Sequence, residues 1–190
     1  MSIKELSQLL SLDRKHIRYY VGPHKVSEWV TISFRIGHYL LSKRSVFAWL
    51  PCKIWSAYYR IVGLITGIQL PLADEIDGGL LFPHFGYVVF AGGVKIGKNA
   101  TIHQGVTIGR IHFGEKKGVP VIGDNVVIYA GANVSGSIKI GNNVVIGANS
   151  VVLDDVPDNC VAVGAPARII SHNSSSLLEN GGRRIYWCEA

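Results

Sequence analysis

The sequence predicts a mainly β fold, a left-handed parallel β-helix preceded by an α-helical N-terminal region, on three observations. An Ile or Val recurs every six residues through the second half of the chain, a glycine often follows it, and the first third shows apolar spacings of three and four instead.

The repeat comes first. Stepping by six from Ile96 reaches Ile102 and Ile108; stepping again from Ile122 reaches Ile128, Val134, Ile140, Ile146 and Val152. Ile and Val make up about a third of this segment, so nine such positions in two runs arise by chance on the order of once in ten thousand. Glycine follows at Gly97, Gly109, Gly123, Gly141 and Gly147, and a small or β-branched residue stands two places before, as at Val94, Ala100, Val106, Val126, Ala132, Val144 and Ser150. Six is the period of neither a helix nor a simple strand. It fits a solenoid in which each hexad makes one short strand, three hexads close a coil, and the aliphatic points into a narrow core. Rungs ~4.8 Å apart then give roughly four coils and a prism ~20 Å tall. The step from Ile108 to Ile122 is fourteen, so a loop, Arg110 to Pro120 (RIHFGEKKGVP), leaves the coil there. Gly92 to Asn99 imitates a phosphate-binding loop, but Asn99 has no hydroxyl for magnesium and no helix follows.

Ahead of the repeat, Ile3, Leu6, Leu9 or Leu10 and Ile17 predict a helix over 2–20. Val26, Trp29, Val30, Ser33, Phe34, Gly37, Leu40 and Leu41 predict a second over 26–50, and Lys53 to Thr66 a third, with Pro23, Pro51 and Pro71 as punctuation. The expected organisation is a helical region over 1–70, a β-helix over 71–170 with an excursion at 110–120, and a tail over 171–190 with Ser-rich and Gly-Gly joints.

Composition narrows the function. A chain of 190 residues is one domain, or one domain with an appended helical segment, and can bury a core unaided. The net charge of +6 is uneven: residues 1–70 carry ten bases against three acids and ten of the eighteen aromatics. No nucleic-acid motif accompanies that basic region, so nucleic acid is not expected. An anionic membrane is the other candidate partner, with Trp29, Trp49 and Trp55 suited to its interface, against packing of the same aromatics between helices. The longest apolar stretch, Ile54 to Leu72, is broken by Arg60, Gly63, Gly67 and Pro71, and no leader is visible at Met1, so the expected compartment is the cytosol, with peripheral contact at the inner membrane through residues 1–70. Cys52, Cys160 and Cys188 form no C-x-x-C pair, so neither a disulfide framework nor a metal site is expected.

A β-helix has no deep internal cavity, so its sites lie outside, in grooves between loops and neighbouring subunits; flat faces and an exposed loop predict a homotrimer. The acid–base candidates there are His84, in Phe82-Pro83-His84-Phe85-Gly86-Tyr87, then His103 after an inward aliphatic, and His112 in the excursion.

Gly78 to Ile170, about half the chain, resembles the serine acetyltransferase branch of the hexapeptide-repeat acyltransferases. The matching pieces are GGLLFPHFGYVVF, the interrupted QGVTIGR…VPVIGDNVVIYAGANVSG, IKIGNNVVIGANSVVLDDVPDN and the closing VGAPARII. The helical N-terminus is similar to the shorter extension of members found in polysaccharide gene clusters. The resemblance implies that His84 is the general base, taking the proton from an acceptor hydroxyl as its oxygen attacks the thioester of acetyl-coenzyme A. It implies no metal. It assigns the orienting residue, an aspartate in the family, to Gln69, with Asp74, Glu75 and Asp77 nearby. It places the coenzyme arm along Ala130, Gly131 and Ala148, where small side chains let it approach the main chain, with Arg168 and Lys139 as phosphate contacts. Arg110, His112 and His103 are the candidate acceptor contacts.

Serine-specific members carry an aspartate immediately before the catalytic histidine and an Arg-His pair in the loop; here those positions hold Pro83 and Gly118-Val119. The groups that would hold an amino acid's ammonium and carboxylate are therefore missing, and the expected acceptor is a hydroxyl of a sugar or polysaccharide precursor. The alternatives are serine acetylation for cysteine biosynthesis and a non-catalytic trimeric scaffold. A γ-type carbonic anhydrase would need a three-histidine zinc site that His84, His103 and His112 do not match.

Overall fold

The computed structural model describes residues 1–21, 25–43 and 49–179, with only the backbone of Ser176 and Glu179. Helix α1 (Ile3–Val21) opens on a capping box: Ser2 Oγ accepts from the Glu5 amide at 3.2 Å and Glu5 Oε2 from the Ser2 amide at 2.7 Å. Helices α2 (Lys25–Leu41) and α3 (Trp49–Thr66) follow. The second helix is thus shorter than its expected 26–50, and Trp49 and Leu50 begin the third. Pro51 lies in the first turn of α3, where an amide has no partner inside the helix and proline is tolerated. Pro23 and the tail over 180–190, Cys188 included, lie outside the described residues. Among the described residues no helix is long and apolar enough to cross a membrane.

The rest is a three-sided coil. Its strands are β1 (Ile68–Gln69) and β2 (Glu75–Ile76); β3 (Val88–Phe90), β4 (Lys95–Ile96) and β5 (Thr101–Ile102); β6 (Thr107–Gly109), β7 (Val121–Ile122) and β8 (Val127–Ile128); β9 (Asn133–Ser135), β10 (Lys139–Ile140) and β11 (Val145–Ile146); and β12 (Val151–Val152), β13 (Val161–Gly164) and β14 (Ala167–Ser171), before a short α4 (Ser175–Glu179). The chain visits three parallel sheets in constant rotation. Face one stacks β1, β3, β6, β9 and β12; face two stacks β2, β4, β7 and β10; face three stacks β5, β8, β11 and β13, to which β14 returns antiparallel.

The hexad positions form the core. Ile96, Ile102, Ile108, Ile122, Ile128, Val134, Ile140, Ile146 and Val152 are all buried, as are the residues two before them, from Val94 to Ser150. The following glycines answer a close approach at the corners: a Cβ on Gly97 would lie 2.1 Å from Asp124 Oδ1, and one on Gly141 2.2 Å from Asp158 Oδ1. Those carboxylates accept the next amides, Lys98 and Asn142, at 2.7 Å each, so the missing side chain makes room for the cap.

Register shows where the repeat breaks. Val127 pairs with Val145, 18 positions on, but Thr101 pairs with Val127, 26 positions on. The eight extra residues are the excursion, a hairpin in which Ile111 and Gly118 exchange both amide bonds at 3.0 Å. Lys116 ties its tip to the Leu153 carbonyl at 2.6 Å and to the Asp154 carboxylate.

Candidate active site

A smaller break holds His84. Leu81 pairs with Thr101, 20 positions on, whereas Val89 pairs with Thr107, 18 positions on. Two extra residues therefore lie between Leu81 and Val89, and the turn at the corner between faces three and one bulges outward. His84, Phe85 and Tyr87 are exposed on it, with Gly86 at φ +111° and Tyr87 at φ +28°.

The helices hold this turn from both sides. Upstream, the Gly79 and Leu80 amides donate to Asp13 Oδ1 at 2.8 and 2.9 Å, and the Phe82 amide to Ser27 Oγ at 3.0 Å. Downstream, the Gly86 amide donates to the Thr66 carbonyl at 2.9 Å. Gly67, at φ +71°, caps α3, and a Cβ there would stand 2.8 Å from the Tyr87 amide nitrogen, so glycine alone both ends the helix and admits the turn. Asp13 is itself paired with Arg35 at 2.8 Å, both side chains being almost wholly buried, and Arg35 donates onward to the Asp77 carbonyl at 2.6 Å and to the Ile76 carbonyl. His16 Nε2 lies 3.2 Å from Thr101 Oγ1; burial, outweighing the nearby Asp13, lowers its pKa to about 4. Sequence reading missed Asp13, Ser27 and Arg35. The one available signal was an isolated acid, Asp13, in a strongly basic helix.

Above the turn a column of residues climbs the same corner. The Gly131 amide donates to the Gln104 carbonyl at 3.0 Å and the Asn149 amide to the Ala130 carbonyl at 2.9 Å, which stacks Gln104, Ala130 and Ala148 on successive coils, with Gly164 above them through the pairing of Ile146 with Ala162. Gly131 and Ala148 are exposed and Ala130 half-buried, so this corner offers backbone with little side chain over it. Arg168 is exposed on β14 beside the upper end of the column.

The remaining candidates scatter. His103 is only 4% exposed, its ring centre 6.3 Å from that of His84 and 4.9 Å from that of Tyr129. Burial first, then His84, lowers its pKa to about 4, so it is a neutral imidazole backing the turn. Gln69 is exposed on β1, opposite Val89, at the edge of face one. Arg110 and His112 stand in the excursion, at the far edge of face one, with Arg110 Nη2 on the Gly92 carbonyl at 2.5 Å. Lys139 lies on face two, across the prism from the column, so one chain does not bring it there. The hollow beside His103, lined by Tyr20, Tyr129 and Leu178 among others, measures about 20 Å³, room for about one water. No group of three or more possible metal ligands occurs among the described residues. A single chain thus offers an exposed imidazole and a track of small residues along one corner.

Residues 120–154 match the bacterial transferase hexapeptide family (six repeats). Over 157 residues the chain is 40% identical to a serine acetyltransferase of Staphylococcus aureus, covering 83% of this chain and 68% of that protein. It belongs to the serine acetyltransferase family. Membership makes it an acyltransferase, and the fold agrees. A serine acetyltransferase of Neisseria gonorrhoeae solved in complex with serine is 28% identical with a TM-score of 0.74, over 90% of this chain and 71% of that one. One of Brucella abortus in complex with coenzyme A is 26% identical with a TM-score of 0.75, over 90% and 70%. These relatives overturn the expected sugar acceptor and its polysaccharide setting: proteins alike across more than four-fifths of the chain are serine acetyltransferases. The inference from Pro83 and Gly118-Val119 gave local departures more weight than the shared scaffold.

Proposed function

We propose that this chain is a serine O-acetyltransferase, moving the acetyl group of acetyl-coenzyme A to the hydroxyl of serine, with His84 as general base in a left-handed β-helix. The observation that carries it is the bulged turn that presents His84 at the foot of the small-residue column, in a fold shared with serine acetyltransferases solved with serine and with coenzyme A. An imidazole nitrogen of His84 takes the hydroxyl proton as the serine oxygen attacks the thioester carbonyl carbon. The tetrahedral intermediate expels the coenzyme A thiolate, the C–S bond breaks, and the imidazolium returns its proton to the sulfur. Products are O-acetylserine and free coenzyme A.

The co-substrate's arm lies along Ala130, Gly131 and Ala148, with Arg168 at a phosphate. Gln69 and the neutral His103 position the imidazole. His84 and the excursion flank opposite edges of face one, so the site closes where the excursion of one copy meets the turn of the next in a homotrimer. Arg110 and His112 of that loop supply the cation and the ring for the serine carboxylate, in place of the missing Arg-His pair.

His84→Ala should lower thiol release from acetyl-coenzyme A with serine as acceptor by ~10²–10⁴, the scale of a general base, with the fold unchanged. A variant that keeps more than about a tenth of the rate removes His84 from that role. A folded wild type that releases no thiol with serine rejects the acceptor.

A further inference from the structure

Helix α3 is apolar on both sides, and the described residues pack against only one. Trp55, Tyr58, Tyr59, Val62 and Thr66 face α2 and the coil: Trp55 Nε1 donates to the Ser33 carbonyl at 3.0 Å and Tyr59 Oη to the Leu70 carbonyl at 2.9 Å. Trp29, too, is turned inward, its Nε1 donating to Tyr58 Oη at 2.6 Å, so of the three tryptophans expected at an interface only Trp49 is exposed.

On the opposite side Leu50, Ile54, Ile61, Leu64 and Ile65 are 58, 63, 54, 84 and 65% exposed. With Ala57 they step by alternating fours and threes, Leu50, Ile54, Ala57, Ile61, Leu64, which lines them along one side of the helix for its whole length. A contiguous apolar stripe of this kind marks a docking surface.

Charge selects what docks there. Lys53 and Arg60 are exposed, seven residues apart, and border one flank of the stripe; α3 contains no acid. A second α3 packed antiparallel on the seam would set these cations against their own copies. Packed parallel, it would set them against Tyr58 and Ile65, neither of which offers a counter-charge. An anionic lipid surface accepts the stripe and both cations together. We propose that the outer face of α3 is a docking surface for an anionic bilayer, with the helix lying in the headgroup plane. Its last turn holds the Gly86 amide, so docking would set the His84 corner near the lipid surface.

The test uses the full chain and vesicles of phosphatidylglycerol in phosphatidylcholine, against phosphatidylcholine alone, at low and physiological salt. Binding to the anionic vesicles should weaken with salt. Ile61→Ser with Leu64→Ser should lower partitioning by more than about tenfold. Lys53→Gln with Arg60→Gln should lower it roughly fivefold per cation removed. Failure of the wild type to bind anionic vesicles at low salt overturns the proposal. So does binding that both paired variants leave unchanged. A third overturning result is a fall in sedimentation mass of the Ile61→Ser, Leu64→Ser protein with no vesicle binding by the wild type, which would assign the face to a second copy.

Discussion

The regular coils and the first coil solve the same problem, satisfying corner polar groups, in opposite ways. From β4 onward the corner between faces two and three repeats the one beneath it. Asn99 donates to Asn125, Asn125 to Asn143 and Asn143 to Asn159, at 3.0, 3.0 and 2.9 Å, and all four hold a left-handed backbone. Each partner lies one coil away. At the first coil the repeat is interrupted by two residues, and the amides leading into the His84 turn are taken by Asp13 and Ser27, 55 to 67 residues away in sequence. Stacking of like on like makes a rigid prism, but every corner it makes is the same. A unique turn needs a departure from the repeat, and the departure is held by non-repeating polar groups on the helices.

The sharpest way to break this comparison is to remove one group from each region. Asp13→Ala leaves Arg35 buried and unpaired and strips the acceptor from two amides, so the unfolding free energy should fall by about 3–5 kcal/mol. Ile128→Val, inside a regular coil, should cost about 1 kcal/mol and leave turnover unchanged. Urea unfolding of both, with thiol release alongside, checks this. Equal losses would mean that the ion pair is no more critical than any core methyl group.

The second prediction concerns acid, and the shifted groups it uses all lie in or against the first two coils. His16 and His103, with folded pKa values of about 4, are held neutral, while the unfolded chain protonates them from about 6.5 downward. The stability they lend is full above about pH 6.5 and drains as pH falls toward 4. Asp74 runs the other way. It is fully buried, its Oδ1 accepts from the Gly93 amide at 2.7 Å, its Oδ2 has no hydrogen-bond partner among the described residues, and burial raises its pKa to about 6. Its ionisation costs stability above that value, and the cost lifts as pH drops through 6. Two histidines outweigh one aspartate, so stability should decline by a few kcal/mol from about pH 6.5 to 4. Asp74→Asn should steepen the decline by removing the opposing group. A flat profile in urea unfolding would show that the two imidazoles protonate within the folded protein.

The two regions also differ in how far they could be read in the sequence. Ile96 to Val152 announce the coil because each buried position recurs at a fixed interval, and Arg110 to Pro120 stands out as the interval that fails. His84 was singled out by its motif. What held it was not, because Asp13, Ser27 and Arg35 belong to no pattern: their partners are backbone amides and carbonyls of residues 76–82, which any sequence would supply. The two-residue bulge was equally hidden, since the stretch before Val88 has no hexad to interrupt. Lys139 shows the converse. It sits in a perfect repeat, and only the order of the faces tells that its strand is across the prism from the column.

The smallest effect sharpens the comparison from the side of the regular coils. Asn125, at φ +55°, both adopts a left-handed backbone and bonds Asn99 and Asn143 at 3.0 Å each. Asn125→Gly keeps the backbone and loses the two solvent-exposed bonds, so it should cost about 0.5–1 kcal/mol. Asn125→Ala loses the same bonds and also places a Cβ in the left-handed region, which adds about 1 kcal/mol. The alanine variant should therefore be less stable than the glycine variant by about that increment in urea unfolding, with turnover unchanged in both. Equal losses would mean that the ladder, not the backbone conformation, sets the corner. The same pair of substitutions at Asn143 should give the same order, because its corner is a copy, one coil away. At the His84 turn no such copy exists, and Asp13, Ser27 and Thr66 of the helices take the amides that flank it.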